Sequence, residues 1–303
     1  MPEAVPEDLR GLPGWTGAGL GPALDAYGRS ADLLGGDWPR PGVADDPAAF
    51  FLDHFTVAPP QAGRLTGYFE PELPASPVRT GRFRHPLHAP PPDLPGDRPW
   101  LSRAEIDAGT ALAGLEIAWL DDPLEAFLVH VQGSARLRFP DGRVLRVGHA
   151  AKNGHPYRSI GAELVRREAV PADALTLDAI RAWCRANPAG TGPLLAHNPS
   201  YIFFGLRDVA PDEGPVGTMG RPVSEGRSLA VDPAHVPLGA PVWIGPGVAG
   251  VSPVLCVAQD TGSAIRGPGR ADLFCGSGAE AGQRAGQLNA PVTLWPLLPK
   301  GVA

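Results

Sequence analysis

From Tyr201 to the C-terminus the apolar runs are short, and glycine or proline cuts off each one. They read YIFFGL, RSLAV, PVWI, VLCVAQ, DLF and VTLWPLL. Runs of this length, rich in β-branched and aromatic residues, read as strands rather than helices. Several such strands at close spacing predict a barrel or a sandwich. With 39 glycines and 37 prolines in 303 residues, the chain nears the composition at which disorder becomes a concern. These residues fall between apolar runs, however, so they read as turns.

The upstream half is mixed. The first 60 residues read as helical, with Leu20, Ala23, Leu24 and Tyr27 at helical spacing, and again Phe50, Phe51, His54 and Phe55. RLTGYFEPELPAS then switches to a strand pattern and stops at prolines. Residues 80–100 are rich in Pro, Arg and His and read as a loop or an inter-domain crossing. Ser102 and Glu105 form a capping box that opens a helix over 103–113. From Glu116 to His149 the pattern is mostly strand, with a hairpin turn at Phe139-Pro140-Asp141-Gly142-Arg143. Helices are predicted near 159–168 and 176–187, the second capped by Thr176 and ended by NPAGTG.

The net charge of −6 argues against a nucleic-acid scaffold, which needs a clustered basic surface. No stretch approaches the roughly 18 consecutive apolar residues of a membrane span. The start, MPEAVPEDLRGLPGW, lacks the basic and apolar regions of a signal peptide. It reads either as the mature form of an exported protein or as a cytosolic one. The three cysteines, Cys184, Cys256 and Cys275, have no C-x-x-C spacing and make neither a disulfide framework nor a zinc site. Whether Cys256 and Cys275 pair stays open. His85 and His88 stand three apart in a proline-rich loop, and none of the eight histidines sits in a metal-ligand motif. There is no nucleophile elbow, phosphate loop or dinucleotide fingerprint, so neither metal nor cofactor is expected.

Aspartates carry the sharpest signal. In VLCVAQDTGSAI an apolar strand delivers Asp260 to a glycine turn, where a carboxylate is fixed and partly desolvated. Asp-Thr-Gly-Ser is also the signature of pepsin-like proteases, but those need a second such aspartate and this chain has none. Asp272, in GRADLFCGSG, again sits at the edge of a short apolar run ahead of a glycine turn. A lone aspartate there ordinarily caps its turn, and two flanking one strand-turn-strand unit weaken that reading. Asp232, before Pro233, reads as a structural turn residue that accepts backbone N–H bonds.

The segments AVDPAHVPLG, AQDTGSAIRGPGRADLFCGSG and EAGQRAG resemble the three-aspartate region of the membrane-bound lytic murein transglycosylase A family. The similarity extends upstream through TGYFEPEL, HVQGSARLRFPDG, AAKNGHPYRSIG and NPSYIFF, covering roughly residues 60–298. Ser263 stands where the family commonly has a second glycine. The resemblance implies a double-psi β-barrel. It also implies cleavage of the β-1,4 bond between N-acetylmuramic acid and N-acetylglucosamine in peptidoglycan, leaving a 1,6-anhydro end. One carboxyl suffices for that chemistry, because an intramolecular hydroxyl replaces water and one residue acts first as acid and then as base. By match to the family motif that residue is Asp272. Asp260 is its neighbour, and its negative charge would raise the Asp272 pKa.

Glycan binding asks for aromatic faces and polar side chains. The candidates are Tyr68, Glu70, Gln132, Ser134, Lys152, Asn153 and Tyr157. Half-buried core tyrosines, a strand-ending turn at 132–134 and a solvated lysine are the plainer readings of the same residues. The expected fold is mainly β with helices. Residues 1–75 and 197–303 would form the double-psi barrel domain, and 76–196 an inserted β-rich barrel domain, with a cleft between them. Expected partners are peptidoglycan strands and other cell-wall enzymes, for a monomer in the periplasm or at the outer membrane. A signal and a lipid anchor are not visible. Two rival readings remain: a non-catalytic glycan-binding module on a barwin- or expansin-like barrel, and a hydrolytic muramidase with Asp260 or Glu70 activating water.

Overall fold

The computed structural model describes residues 5–301 and falls into two units, one built from the chain up to Phe69 and from Val209, the other from Glu70–Asp208. The first unit opens with α1 (Gly21–Ala31), α2 (Pro47–His54), β1 (Phe55–Val57) and β2 (Gln61–Glu70). The second unit begins with β3 (Glu72–Ser76), β4 (His85–His88), α3 (Arg103–Ala108), β5 (Glu116–Leu120), α4 (Pro123–Gln132) and β6 (Ser134–Arg138). It continues with β7 (Val144–Lys152), α5 (Ile160–Arg166), α6 (Leu177–Ala186), α7 (Pro188–Leu195) and β8 (Ile202–Leu206). The first unit is completed by β9 (Ser228–Val231), β10 (Pro241–Ile244), β11 (Val254–Asp260), β12 (Arg270–Ser277), α8 (Gly278–Gln287) and β13 (Asn289–Pro299).

In the first unit the strand order is β1-β13-β10-β11-β9-β12-β2, and β13 also pairs with β2. That last pairing closes a ring of six strands with β1 attached outside it, which is the expected double-psi β-barrel. Closure removes the exposed edges that an open sheet would present. Along β11 the two faces separate by alternation. Cys256 and Ala258 join Leu65, Leu229, Val242 and Ile244 in one core. Leu255 and Val257 face the other way and pack with Tyr27 of α1, Phe51 of α2, Trp243 and Trp295. A strand buried on both faces reads as a continuous apolar run, as VLCVA does. Helix α2 begins at Asp46, whose carboxylate accepts the Ala49 N–H at 2.8 Å, with Pro47 in the first turn.

The second unit holds a six-stranded sheet in the order β4-β5-β3-β6-β7-β8. The hairpin between β6 and β7 turns at 139–143, where Phe139 N–H bonds to the Arg143 carbonyl at 2.8 Å. Since β3 and β8 both belong to this sheet, the units divide at 69/70 and 208/209 rather than at 75/76 and 196/197. Sequence expectations fail in this unit at three places: β4 lies within the stretch 80–100 read as a loop, α3 stops at Ala108 rather than at 113, and the run after Asp122 differs. Residues 123–132 form a helix, not a strand: Asp122 accepts the Leu124 and Glu125 N–H groups, and Gly133 ends the helix in the left-handed region at φ 80°. NPAGTG ends α6, which stops at Ala186 with Asn187 as its cap, and it also starts α7, with Pro188 in the first turn. All three cysteines are free and buried, so Cys256 and Cys275 do not pair.

Candidate active site

Strand β9 lies between the two strands that carry the aspartates. Ala230 is the register partner of Asp260 on β11 and of Asp272 on β12. Two strand spacings set these residues roughly 10 Å apart at the backbone, close enough for their charges to interact. The β11–β9 ladder slips by one residue between Ala258 and Asp260. Gln259, at the slip, is buried and fixed by its amide. It donates to the Ala26 carbonyl at 2.7 Å and to Ser30 Oγ at 2.9 Å, and it accepts from Ser228 Oγ at 2.6 Å. Helix α1 is thereby tied to the residue that precedes Asp260.

Asp260 and Asp272 are held differently. Asp260 Oδ1 accepts from Thr218 N at 2.9 Å, Thr218 Oγ1 at 2.9 Å and Thr261 N at 2.8 Å, and Oδ2 accepts from the Tyr68 hydroxyl at 3.1 Å. The loop bearing Thr218 comes this close because residue 217 is glycine: a Cβ there would sit 2.8 Å from the Gln259 carbonyl oxygen. Asp272 Oδ1 accepts one hydrogen bond, from Thr66 Oγ1 at 2.6 Å. Burial pushes the Asp272 carboxyl up to about 6, opposed by the Thr66 hydrogen bond and by Arg270 and reinforced least of all by the charge of Asp260. Burial also raises Asp260, against the pull of its four hydrogen bonds. The same burial, with Asp260 and Asp272 nearby, lifts the Tyr68 hydroxyl well above its usual range, so it stays a donor.

This geometry moves several candidates into new surroundings. Tyr68 is buried, with its ring 5.3 Å from that of Phe274, and its hydroxyl serves Asp260. Asp232 accepts the N–H groups of Ala234 and Gly267 at 3.2 and 2.8 Å, which hold its carboxyl below the usual range. The other candidates belong to the second unit. Glu70 is 1% exposed and paired with Arg136 at 2.7 Å and Arg146 at 3.1 Å, an engagement that leaves no open face for a sugar. Asn153 is likewise consumed: its amide donates to the Leu101 and Pro199 carbonyls and accepts from Tyr201 N, each at 2.8 Å. Ser134 is buried at the start of β6, Gln132 and Tyr157 are half-buried, and Lys152 is exposed. Thr66 and Thr218 were not anticipated. Thr66 lies in TGYFEPEL two residues before Tyr68, hence on the same strand face, and that alternation is the signal that points to it. Thr218 lies in an irregular loop and has no such signal. Among the described residues no group of three or more His, Cys, Asp or Glu is placed to hold a metal ion.

A closed six-stranded barrel, split by an insertion and carrying two unequal aspartates across one strand, defines a class of barrel protein with one weakly restrained carboxyl. Residues 64–205 match the model for the MltA specific insert domain, and residues 227–298 match that for the 3D domain. The chain is 35% identical over 244 residues to the membrane-bound lytic murein transglycosylase A of Escherichia coli K12, covering 77% of this chain and 65% of that protein's length. The crystal structure of a membrane-bound lytic murein transglycosylase from Agrobacterium tumefaciens is 32% identical, with a TM-score of 0.82 over 97% of both chains. That of E. coli MltA with bound chitohexaose is 33% identical, with a TM-score of 0.69 over 79% of this chain and 72% of that one. The chain belongs to the membrane-bound lytic murein transglycosylase A family.

Proposed function

We propose that this protein is a lytic transglycosylase that cleaves the β-1,4 bond between N-acetylmuramic acid and N-acetylglucosamine in peptidoglycan. The observation that carries this reading is the contrast between its two barrel aspartates. Asp260 is saturated with hydrogen bonds, whereas Asp272 accepts a single one and titrates near neutrality. A carboxyl of that kind holds a proton around pH 6 and gives it up readily, as general acid–base catalysis requires. Asp272 first donates its proton to the glycosidic oxygen as the bond to the anomeric carbon breaks. The resulting carboxylate then takes the proton of the muramic 6-hydroxyl as that oxygen bonds to the same carbon. No water is consumed, and Asp272 ends as it began. Thr66 holds the carboxyl in place through both steps, and Asp260 with Tyr68 and Thr218 fixes the polar surroundings. Ordinary glycosidases use two working carboxyls, and the attached hydroxyl stands in for the second.

The binding of chitohexaose by the E. coli relative supports a glycan strand as the ligand class. In the second unit Gln132, Lys152 and Tyr157 are the proposed sugar contacts. A cell-envelope location, in the periplasm, follows from the same reading. The test is mass spectrometry of purified sacculi digested with the protein. Products lighter by one water than reducing-end muropeptides support transglycosylation. Reducing ends would make the protein a hydrolase, and intact glycan would make it a binding module.

A further inference from the structure

The second unit contains a cavity of about 680 Å³ that the proposed reaction does not use. Arg103, at the start of α3, lines it and is only 4% exposed. Its guanidinium lies 4.8 Å from the ring centres of both Phe127 and Tyr201. Of its N–H groups, Nη2 donates to the Ser200 carbonyl at 3.0 Å, while Nε is buried without an acceptor. Among the described residues no carboxylate stands within ion-pair distance of it. Asp107, four residues on, attracts it only from beyond ion-pair distance, and a buried cation with neither a close counter-ion nor full hydrogen bonding is costly. The two rings account for its faces but not for its edge.

The neighbouring polar groups are also buried. His88 Nδ1 lies 2.8 Å from the Tyr201 hydroxyl. His130 Nδ1 accepts the Ile202 N–H at 3.1 Å, which puts the imidazole proton on Nε2 as a donor. Burial lowers both imidazoles, His88 to about 4, so they are neutral at pH 7. Arg103 is therefore the fixed charge in the depth of the cavity. Nearer the surface, Arg79 and Arg84 outnumber Asp107 by two to one, and the half-buried Glu116 leaves the lining with a positive balance. Ile106, Trp119 and Leu195 supply apolar wall.

We propose that this cavity binds a small organic carboxylate, whose carboxylate group meets the terminal Nη1–Nη2 end of the Arg103 guanidinium and whose apolar body rests against Ile106 and Trp119. The planar fork of a guanidinium matches a carboxylate in two parallel hydrogen bonds. The proposal is independent of the peptidoglycan reading, since it concerns other residues and needs no turnover.

The test is NMR of the full chain labelled with ¹⁵N-arginine, titrated with phenylacetate and, separately, with its neutral isostere phenylacetamide. The sealing of Arg103 Nε–H slows its exchange with water, which keeps its resonance visible at neutral pH, and its loss in Arg103→Lys assigns it. Saturable movement of that resonance by phenylacetate is expected, with phenylacetamide weaker by roughly tenfold or more, as loss of a charged hydrogen bond implies. Gly192→Leu supplies a control that spares the guanidinium. Gly192 lines the cavity, and a Cβ there would meet nothing within 4 Å. The larger side chain should weaken phenylacetate binding while leaving the melting temperature intact. No saturable response to phenylacetate, an equal response to the amide, or binding untouched by Gly192→Leu would overturn the proposal.

Discussion

Replacing Asp272 with asparagine should abolish turnover and yet stabilise the barrel unit at alkaline pH. The Asp272 carboxyl titrates at about 6 instead of at the ordinary 3.8, chiefly because burial disfavours its charge. A group raised in the folded state contributes stability that is complete below the unfolded value and is lost as pH rises through the folded one. The window is therefore about pH 4 to 6, and above it the ionised carboxylate costs the fold on the order of 3 kcal/mol, at roughly 1.4 kcal/mol per pH unit. Asparagine has nearly the same shape, still accepts from Thr66, and never ionises. At pH 4, where the aspartate is neutral, the two proteins should melt together. At pH 8 the variant should melt higher, by roughly 6–12 °C at about 2–4 °C per kcal/mol for a unit of this size. Calorimetry of both proteins at the two pH values measures this, and muropeptide release should fall by roughly 100-fold or more. A melting difference that is equal at pH 4 and pH 8, or that favours the wild type at pH 8, refutes the reasoning.

Three further outcomes are expected. Thr66→Val removes the hydrogen bond that holds the Asp272 value down, so the high-pH limb of the rate profile should move up by roughly one to two units, a charged hydrogen bond being worth roughly 1.5–3 kcal/mol; a limb that stays put separates Thr66 from Asp272. Asp260→Asn should shift the same limb downward by less than Thr66→Val shifts it upward, because the charge of Asp260 is the smallest of the influences on Asp272; a larger shift, read from rates on the same sacculi, contradicts that ranking. Glu70→Ala leaves Arg136 and Arg146 without their shared counter-ion and should destabilise the second unit by about 3–5 kcal/mol; chemical denaturation monitored by tryptophan fluorescence would expose a neutral effect.

Much of both units was legible because their elements obey simple local rules. The doubly buried run ahead of Asp260, the turn at 139–143, and the caps at Ser102 and Thr176 each rest on residues near in sequence. Helix α4 was not legible because AFLVHV satisfies a strand pattern as well as a helical one. Its true signals were the residues at its ends, Asp122 and Gly133. Asp260 and Asp272 stood out in the sequence, but Thr66 and Thr218, which bond to them, did not. Thr66 reaches Asp272 across 206 positions, a contact that depends on barrel closure and not on any local pattern. Glu70 looked like a site residue because it follows Tyr68 in one motif. The register of β3, β6 and β7 brings Arg136 and Arg146 to it instead.

Because the barrel is built from the two ends of the chain, its completion is also a matter of timing during synthesis. Arg64 on β2 finds Asn289 on β13 only after 225 further residues have been made. At roughly 5–20 residues per second, β2 waits on the order of 10–45 s for the strand that closes the ring. The second unit has no such delay, since its sheet is drawn from one continuous stretch, Glu70–Asp208. While the ribosome works, an early-folding insert is tethered to an unpaired N-terminal arm that carries Thr66 and Tyr68. The arm exposes strand edges over that interval, so the nascent barrel, rather than the insert, is the part that a chaperone has reason to shield.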